Sequence, residues 1–160
     1  PLSAVLLRDL LGLYLVRGRM READVIRKQL DTLRPEWVRL WGETSSIEEW
    51  QREIETQGRY SWSLGRLAVA YHRAGNPSEA SRLIDELKVL YEEGREGNDA
   101  YSLAEVSCRL GDKEKTLYWL DRAVERKAPG LINVDRGSPF SRLLRDEPRF
   151  QTILKRVGVK

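Results

Sequence analysis

The sequence is poor in the residues that build disulfides, metal sites and thiol–histidine pairs. It contains one cysteine and one histidine, so Cys108 cannot form an intrachain disulfide and no Cys/His zinc site can be assembled. A single cysteine is typical of a reducing compartment, and we therefore expect a cytoplasmic location. Since no such zinc site is possible, we expect no metal. We also expect no cofactor, because the segment from Gly94 to Gly97 lacks the preceding strand and the spacing of a phosphate-binding loop.

Long apolar runs and a distinct basic surface are also missing. No stretch of 18 apolar residues could form a membrane span, and no segment has the pattern of a signal peptide. The net charge is only +3 although 33% of the residues are charged. Because bases and acids interleave, the pattern favours solvated helix faces over direct nucleic-acid binding. The chain begins with Pro1 and not with methionine, so we expect it to be a segment or processed product of a longer protein.

What the sequence does contain is a repeated helical pattern. Apolar residues recur at helical spacing and no segment alternates at period two for long enough to form a strand, so the chain is predicted to be all-α. Gly75 and Gly111 are 36 residues apart, each between two apolar stripes, and Gly18 occupies the same place in an earlier copy. A period of this length predicts a helical solenoid. The stripes of the two later copies are Leu64, Leu67, Ala68 and Tyr71 with Ala80, Leu83, Ile84 and Leu87, then Ala100, Leu103, Ala104 and Ser107 with Leu120, Ala123 and Val124.

The pattern divides one domain, residues 1–160, into successive units. These are a repeat at 1–35, a truncated repeat at 36–59, repeats at 60–94 and 98–128, and a C-terminal linker and cap at 129–160. In the truncated repeat, Ser46 and Glu49 form a capping box that predicts a helix through Ile54 to about Gly58. Two interpretations of the tryptophans here stay open. Either these side chains fill the volume that the shortened helix leaves empty, or they line an exposed recognition patch. The tryptophans are Trp37, Trp41 and Trp50.

The C-terminal tail is predicted to close the last open face of the solenoid. A short helix is expected around Ser141 to Arg145, and Asp146 is predicted to cap a final helix with Pro148 in its first turn. Gly158 is predicted to end that helix. Its apolar stripe is Phe150, Ile153, Leu154 and Val157.

These repeats resemble the tetratricopeptide repeat family, whose units are helix–turn–helix pairs with small and large residues at fixed positions. The resemblance implies a right-handed superhelical solenoid of such pairs with a C-terminal capping helix. Departures from the family pattern include Ser107 in place of an aromatic residue and Thr116 in place of alanine. The matching positions are Leu10, Tyr14, Gly18, Ala23 and Pro35, then Leu67, Tyr71, Gly75 and Ala80, then Leu103, Gly111 and Ala123.

A second resemblance concerns the tail. The segment from Asp135 to Phe150 is similar to the ending of many bacterial tetratricopeptide regions. Such regions close multidomain regulators that also carry winged-helix, Ser/Thr-kinase or adenylate-cyclase-like domains. The resemblance implies that this chain is the C-terminal part of a larger bacterial regulatory protein, with a role in signalling or transcription regulation.

The family's ligand-facing positions place a concave groove on the first helix of each repeat. The resemblance implies that this groove binds a peptide through apolar anchors and arginine–carboxylate contacts. The alternative is that these residues pack against the C-terminal cap or an upstream domain. Gly12 stands where the chaperone-type carboxylate clamp needs asparagine, so that specialisation is not expected. The groove residues are Arg8, Leu15, Trp62, Val69, His72, Arg73, Tyr101, Glu105 and Arg109.

No enzyme is predicted. His72 and Cys108 occupy equivalent positions in successive repeats, but packed helices lie about 8–10 Å apart and a working pair needs heavy atoms about 3 Å apart. The leading hypothesis is a non-enzymatic scaffold that binds a peptide or protein, as a monomer or weak homo-oligomer. The alternative is a sensory or oligomerisation domain that controls an attached DNA-binding or kinase domain, and light scattering over a concentration series would separate the two.

Overall fold

The computed structural model describes residues 46–94, 97–134 and 138–158, together with ten single positions between Leu7 and Gln29. Contacts divide the chain into two compact units, Pro1–Ser45 and Ser46–Lys160. All regular structure in the described residues is helical, which confirms the predicted all-α class. None of the helices among these residues is long and apolar enough to cross a membrane.

In the first unit, nine of the ten described positions are helical and only Arg19 is not. Leu7 and Ile26 are buried, and they lie on either side of the turn predicted at Gly18. The Arg19 backbone N–H donates to the Tyr14 carbonyl at 2.9 Å. Arg8, Leu15 and Gly18 lie outside the described residues, as do Trp37 and Trp41.

The second unit opens with helix α1, Ile47–Gln57, and its predicted capping box is confirmed. The Ser46 hydroxyl accepts from the Glu49 N–H at 3.2 Å, and the Glu49 carboxylate accepts from the Ser46 N–H at 2.9 Å. Trp50 is buried and meets Trp62 edge to face, with ring centroids 5.4 Å apart. For Trp50, this placement favours the volume-filling interpretation.

Two helix pairs follow. The first pair is α2, Ser61–Arg73, with α3, Pro77–Glu93; the second is α4, Asp99–Arg109, with α5, Lys113–Glu125. The members of each pair pack on each other, and α4 also packs on both helices of the first pair. The predicted stripes supply the core: all their members are buried except Tyr71, Ile84 and Val124, which are partly exposed.

The turns within the two pairs have the same geometry, as the repeated glycines predict. Gly75 and Gly111 have φ of +77° and +78°, a left-handed conformation that glycine adopts without the strain a Cβ introduces. The next residue caps the second helix in both cases. Asn76 accepts from the Glu79 N–H at 3.3 Å, and Asp112 accepts from the Lys115 N–H at 3.0 Å.

Aromatic contacts join the second helices of the two pairs on the outer surface. Tyr91 of α3 meets Trp119 of α5 edge to face, with centroids 5.1 Å apart. The Arg126 guanidinium lies 3.7 Å from the Tyr91 ring centroid and donates to the Tyr91 carbonyl at 2.6 Å. These side-chain contacts connect α3 with α5 and with the residue that ends it.

A C-terminal segment covers the last pair. It consists of a short 3-10 helix, Pro129–Asn133, then α6, Pro139–Leu143, and α7, Pro148–Val157. Helix α6 packs on α4 and α7 packs on α5, with Phe140, Phe150 and Ile153 almost fully buried.

The start of α7 differs from its sequence prediction, whereas its end agrees. The N-cap is Glu147, not Asp146, and its side chain makes no capping hydrogen bond. Pro148 occupies the first helical turn, and the Glu147 carboxylate instead accepts from Lys113 Nζ of α5 at 3.2 Å. Gly158 ends the helix in the left-handed conformation, as predicted.

The 3-10 helix approaches α4 so closely that Gly130 leaves no space for a side chain. A Cβ at this position would lie 2.6 Å from Tyr101 Cγ and 2.7 Å from Asn98 Oδ1. The Gly130 N–H donates to the same Asn98 oxygen at 2.8 Å, and the Tyr101 ring meets Phe140 edge to face at 5.5 Å. The seating of the C-terminal segment therefore depends on a glycine at this position.

We predict that Gly130→Ala lowers the free energy of unfolding by about 1–3 kcal/mol, because the added methyl overpacks the contact with Tyr101. Chemical denaturation followed by circular dichroism would measure the change. In a Tyr101→Ala background the same substitution should cost less, because the ring no longer occupies the space and only the contact with Asn98 Oδ1 remains. Equal costs in both backgrounds would contradict this explanation.

Candidate functional site

A shallow depression lies between α2 and α4, the first helices of the two described pairs. Its empty space is about 170 Å³ and opens to solvent. Each helix contributes residues at i, i+3, i+4 and i+7, the spacing of one helix face. The lining residues are Trp62, Gly65, Arg66 and Val69 of α2 with Ser102, Glu105, Val106 and Arg109 of α4.

Small residues bring the two helices together beneath this depression. A Cβ on Gly65 would lie 2.9 Å from Val106 Cγ2, which is closer than real Cβ atoms approach. Further along the same contact, the buried Ser102 hydroxyl donates to the Ser61 hydroxyl at 3.3 Å. The close approach lets side chains on one helix reach charged groups on the other.

The charged groups of the depression form one connected cluster. Arg66 Nη2 of α2 donates to Glu105 Oε1 at 2.7 Å, and Arg109 Nη2 donates to the same oxygen at 3.1 Å. The exposed fractions of the side chains are 20% for Arg66, 17% for Glu105 and 9% for Arg109. Ion pairs this sheltered are screened much less by salt than exposed pairs are.

Arg66 lies in an electrostatically unfavourable position. Burial lowers the pKa of its guanidinium, and the positive charges of Arg109 and Arg73 act in the same direction. The Glu105 carboxylate opposes these effects. The Arg66 Nε atom is buried without a hydrogen-bond partner. Arg66 therefore keeps one N–H donor that makes no hydrogen bond within the described residues.

The structure distributes the predicted groove residues over three environments. Trp62, Val69, Glu105 and Arg109 line the depression. His72 and Arg73 are exposed in the last turn of α2. Tyr101 is buried in the core against Phe140, and this placement favours the alternative of packing against the C-terminal cap. Peptide binding by these residues stays a prediction.

Apart from Gly65, which has no side chain, the predicted groove set lacks three lining residues: Arg66, Ser102 and Val106. The family's ligand-facing positions did not include them. Helical spacing could have identified Arg66, because it follows Trp62 by four residues and precedes Val69 by three. No pattern in one sequence could have shown that Arg66 meets Glu105, which is 39 positions away.

The described residues offer little support for metal or thiol chemistry. They contain no group of three or more His, Cys, Asp or Glu side chains that could hold a metal ion. Cys108 is buried, and burial raises the pKa of its thiol to about 11. Since the thiolate is the nucleophilic form, Cys108 is poorly activated at neutral pH.

We predict that Cys108 of the folded chain reacts with a disulfide reagent at pH 8 at least about a hundred-fold more slowly than the same chain in denaturing urea. A pKa about two units above the ordinary value lowers the thiolate fraction by that factor, and burial slows access further. Absorbance of the released thiolate measures the rate, and one cysteine makes it specific. Similar rates in both conditions would contradict a buried, protonated thiol.

We also predict that Glu105→Gln lowers the free energy of unfolding by about 1–3 kcal/mol, since two sheltered guanidiniums would lose their shared carboxylate. Denaturant titration provides the measurement. Glu114→Gln is the matched control, because the Glu114 side chain is 87% exposed, and it should change stability by less than about 0.5 kcal/mol. Equal effects of the two substitutions would show that the cluster contributes no special stability.

Comparison with known proteins found no matching family model, no matching curated protein and no matching solved structure. The resemblance to tetratricopeptide repeats therefore depends on the residues quoted above. The functional conclusion depends on the geometry of the depression between α2 and α4.

Proposed function

We propose that this chain is a non-enzymatic scaffold of tetratricopeptide type that binds a peptide or protein in the depression between α2 and α4. It is the C-terminal part of a larger bacterial regulatory protein. The observation that carries the proposal is the combination of Trp62 with the partly buried Arg66–Glu105–Arg109 cluster in one shallow depression. Tryptophan and arginine are the residues most enriched among those that dominate binding energy at protein interfaces.

The packing order of the helices supports a solenoid as the architecture. Helix α4 contacts both α2 and α3, and Tyr91 of α3 meets Trp119 of α5. Each pair is thus stacked on the preceding one with first helix beside first helix. The same Gly turn recurs at Gly75 and Gly111. Repetition of one such step generates a superhelix with the first helices on its concave side.

The location of the depression supports binding rather than internal packing. Among the residues that the structure describes, its lining comes from α2 and α4 alone. By contrast, Tyr101 and Cys108, on the adjoining face of α4, belong to the core cluster that includes Phe140 and Leu144. The cap therefore covers one face of α4, and no described residue of the cap lines the depression that includes Glu105 and Arg109.

A selection from a random peptide library, with the 160-residue chain as bait, tests the proposal. We expect peptides whose affinity falls at least about 10-fold in Trp62→Ala and less than about 2-fold in Tyr60→Ala. Tyr60 is the matched control, because it is aromatic and only two positions from Trp62. Its side chain is 48% exposed but does not line the depression. A loss of this size corresponds to about 1.4 kcal/mol of binding free energy.

Trp62 also packs on Trp50, so Trp62→Ala removes a packing contact as well as a lining residue. A second measurement therefore uses the unmodified chain. Bound peptide should shift the backbone NMR signals of the lining residues of α2 and α4 more than those of α7. A library that yields no specific peptide, or peptides that shift signals elsewhere, would overturn the proposed function.

A further inference from the structure

We propose that a second copy of this chain docks on the basic outer face of α7 through the acidic outer face of its own α1. The contact is head to tail, because it joins two different surfaces of one chain. It uses none of the residues that line the depression between α2 and α4, so it does not rest on the proposed function.

The outer face of α1 is acidic. Residues 46–57 contain four glutamates and one arginine, a net charge of −3. Glu48 and Glu55 are exposed on one face of the helix, and neither forms an ion pair with a described residue. Arg52, the one cation of this segment, is also exposed and forms no ion pair with a described residue. The face therefore keeps a surplus of negative charge.

The outer face of α7 is basic. The helix contains three cations, Arg149, Lys155 and Arg156, and no carboxylate. Lys155 is exposed and forms no ion pair with a described residue. Arg149 and Arg156 share the Asp121 carboxylate of α5, at 2.8 and 3.5 Å. Arg149 also lies 3.7 Å from Glu114, whose side chain is 87% exposed. Three cations thus meet two carboxylates, and the face keeps positive charge.

Arg156 has hydrogen-bonding capacity left for a partner. A guanidinium has five N–H donors. Within the part of the chain that the structure describes, the guanidinium of Arg156 makes one hydrogen bond, from Nη1 to Asp121 at the long distance of 3.5 Å. The Arg156 side chain is 47% exposed, so its other donors can reach a carboxylate at the surface.

The charged residues on the two helices have the same spacing. Glu48 and Glu55 are seven residues apart on α1, and so are Arg149 and Arg156 on α7. Seven residues span about two turns, or about 10.5 Å along the helix axis. When the two helices lie side by side, both carboxylates can therefore meet both guanidiniums, with Lys155 beside one of these contacts.

The two faces belong to different ends of the helix stack in the second unit. Helix α1 packs on α2 of the first pair, and α7 packs on α5 of the second pair. Each copy therefore presents its acidic face and its basic face to two different neighbours. Such a heterologous contact joins copies into rings or open chains rather than closed two-fold dimers. Exposed ion pairs are individually weak, so the association is expected at high protein concentration.

Sedimentation velocity of the 160-residue chain tests the inference, over about 10 μM to 1 mM protein in about 50 mM NaCl. We expect the average mass to rise with protein concentration. In about 500 mM NaCl the dissociation constant should increase at least about 10-fold, because salt shortens the screening length to a few ångströms. A chain that stays monomeric throughout would overturn the inference.

Two neutral variants identify the faces. Glu48→Gln with Glu55→Gln removes the acidic face, and Lys155→Gln with Arg156→Gln weakens the basic face. Each variant alone should associate at least about 5-fold more weakly than the unmodified chain. An equimolar mixture of the two should form one-to-one dimers and nothing larger, because each variant supplies the face that the other lacks. Recovery in the mixture also shows that both variants are folded.

The control variant, Arg82→Gln with Lys88→Gln, removes the same amount of charge from α3. These side chains are 59% and 47% exposed, and the association should stay within about 2-fold of that of the unmodified chain. Association that resists salt or the variants of α1 and α7, or a mixture that stays monomeric, would contradict head-to-tail docking. A monomeric chain that binds poly-glutamate in a Lys155-dependent manner would assign the face of α7 to another acidic protein instead.

Discussion

The close contact between α2 and α4 is the constraint on which the rest of the site depends. Gly65 has no side chain where Val106 lies, and Ser61 meets Ser102 through a single hydrogen bond. At this separation an arginine on one helix reaches a glutamate on the other. A larger residue at position 65 would force the helices apart, because packed interiors have little free volume to absorb an extra methyl group.

The same contact explains why the charged cluster can exist in a partly buried position. Burial of an isolated charge is costly, and an ion pair repays that cost only with good geometry and further hydrogen bonds. Glu105 lies between Arg66 and Arg109 and offers one oxygen to both. The Arg66 Nε atom is nevertheless buried without a hydrogen-bond partner.

The C-terminal segment uses a different kind of contact from the repeats that it covers. The 3-10 helix approaches α4 through Gly130, while α7 is held to α5 by apolar burial and by the Arg149–Asp121 ion pair at 2.8 Å. The C-terminal segment therefore covers the core face of α4 and the adjoining face of α5. Another face of α4 lines the depression beside α2, so one helix contributes to both the core and the candidate site.

The sequence by itself determined the helical class, the helix pairs with their glycine turns, the capping box at Ser46 and most of the core. These features follow from local periodicity and from residues that act on near neighbours along the chain. It also identified Trp62, Val69, Glu105 and Arg109 as members of one surface. Only the tertiary structure decided that Tyr101 belongs to the core, that Glu147 precedes α7, and that Arg66 meets Glu105. Those facts depend on the distance between helices, which packing sets and which no local pattern encodes.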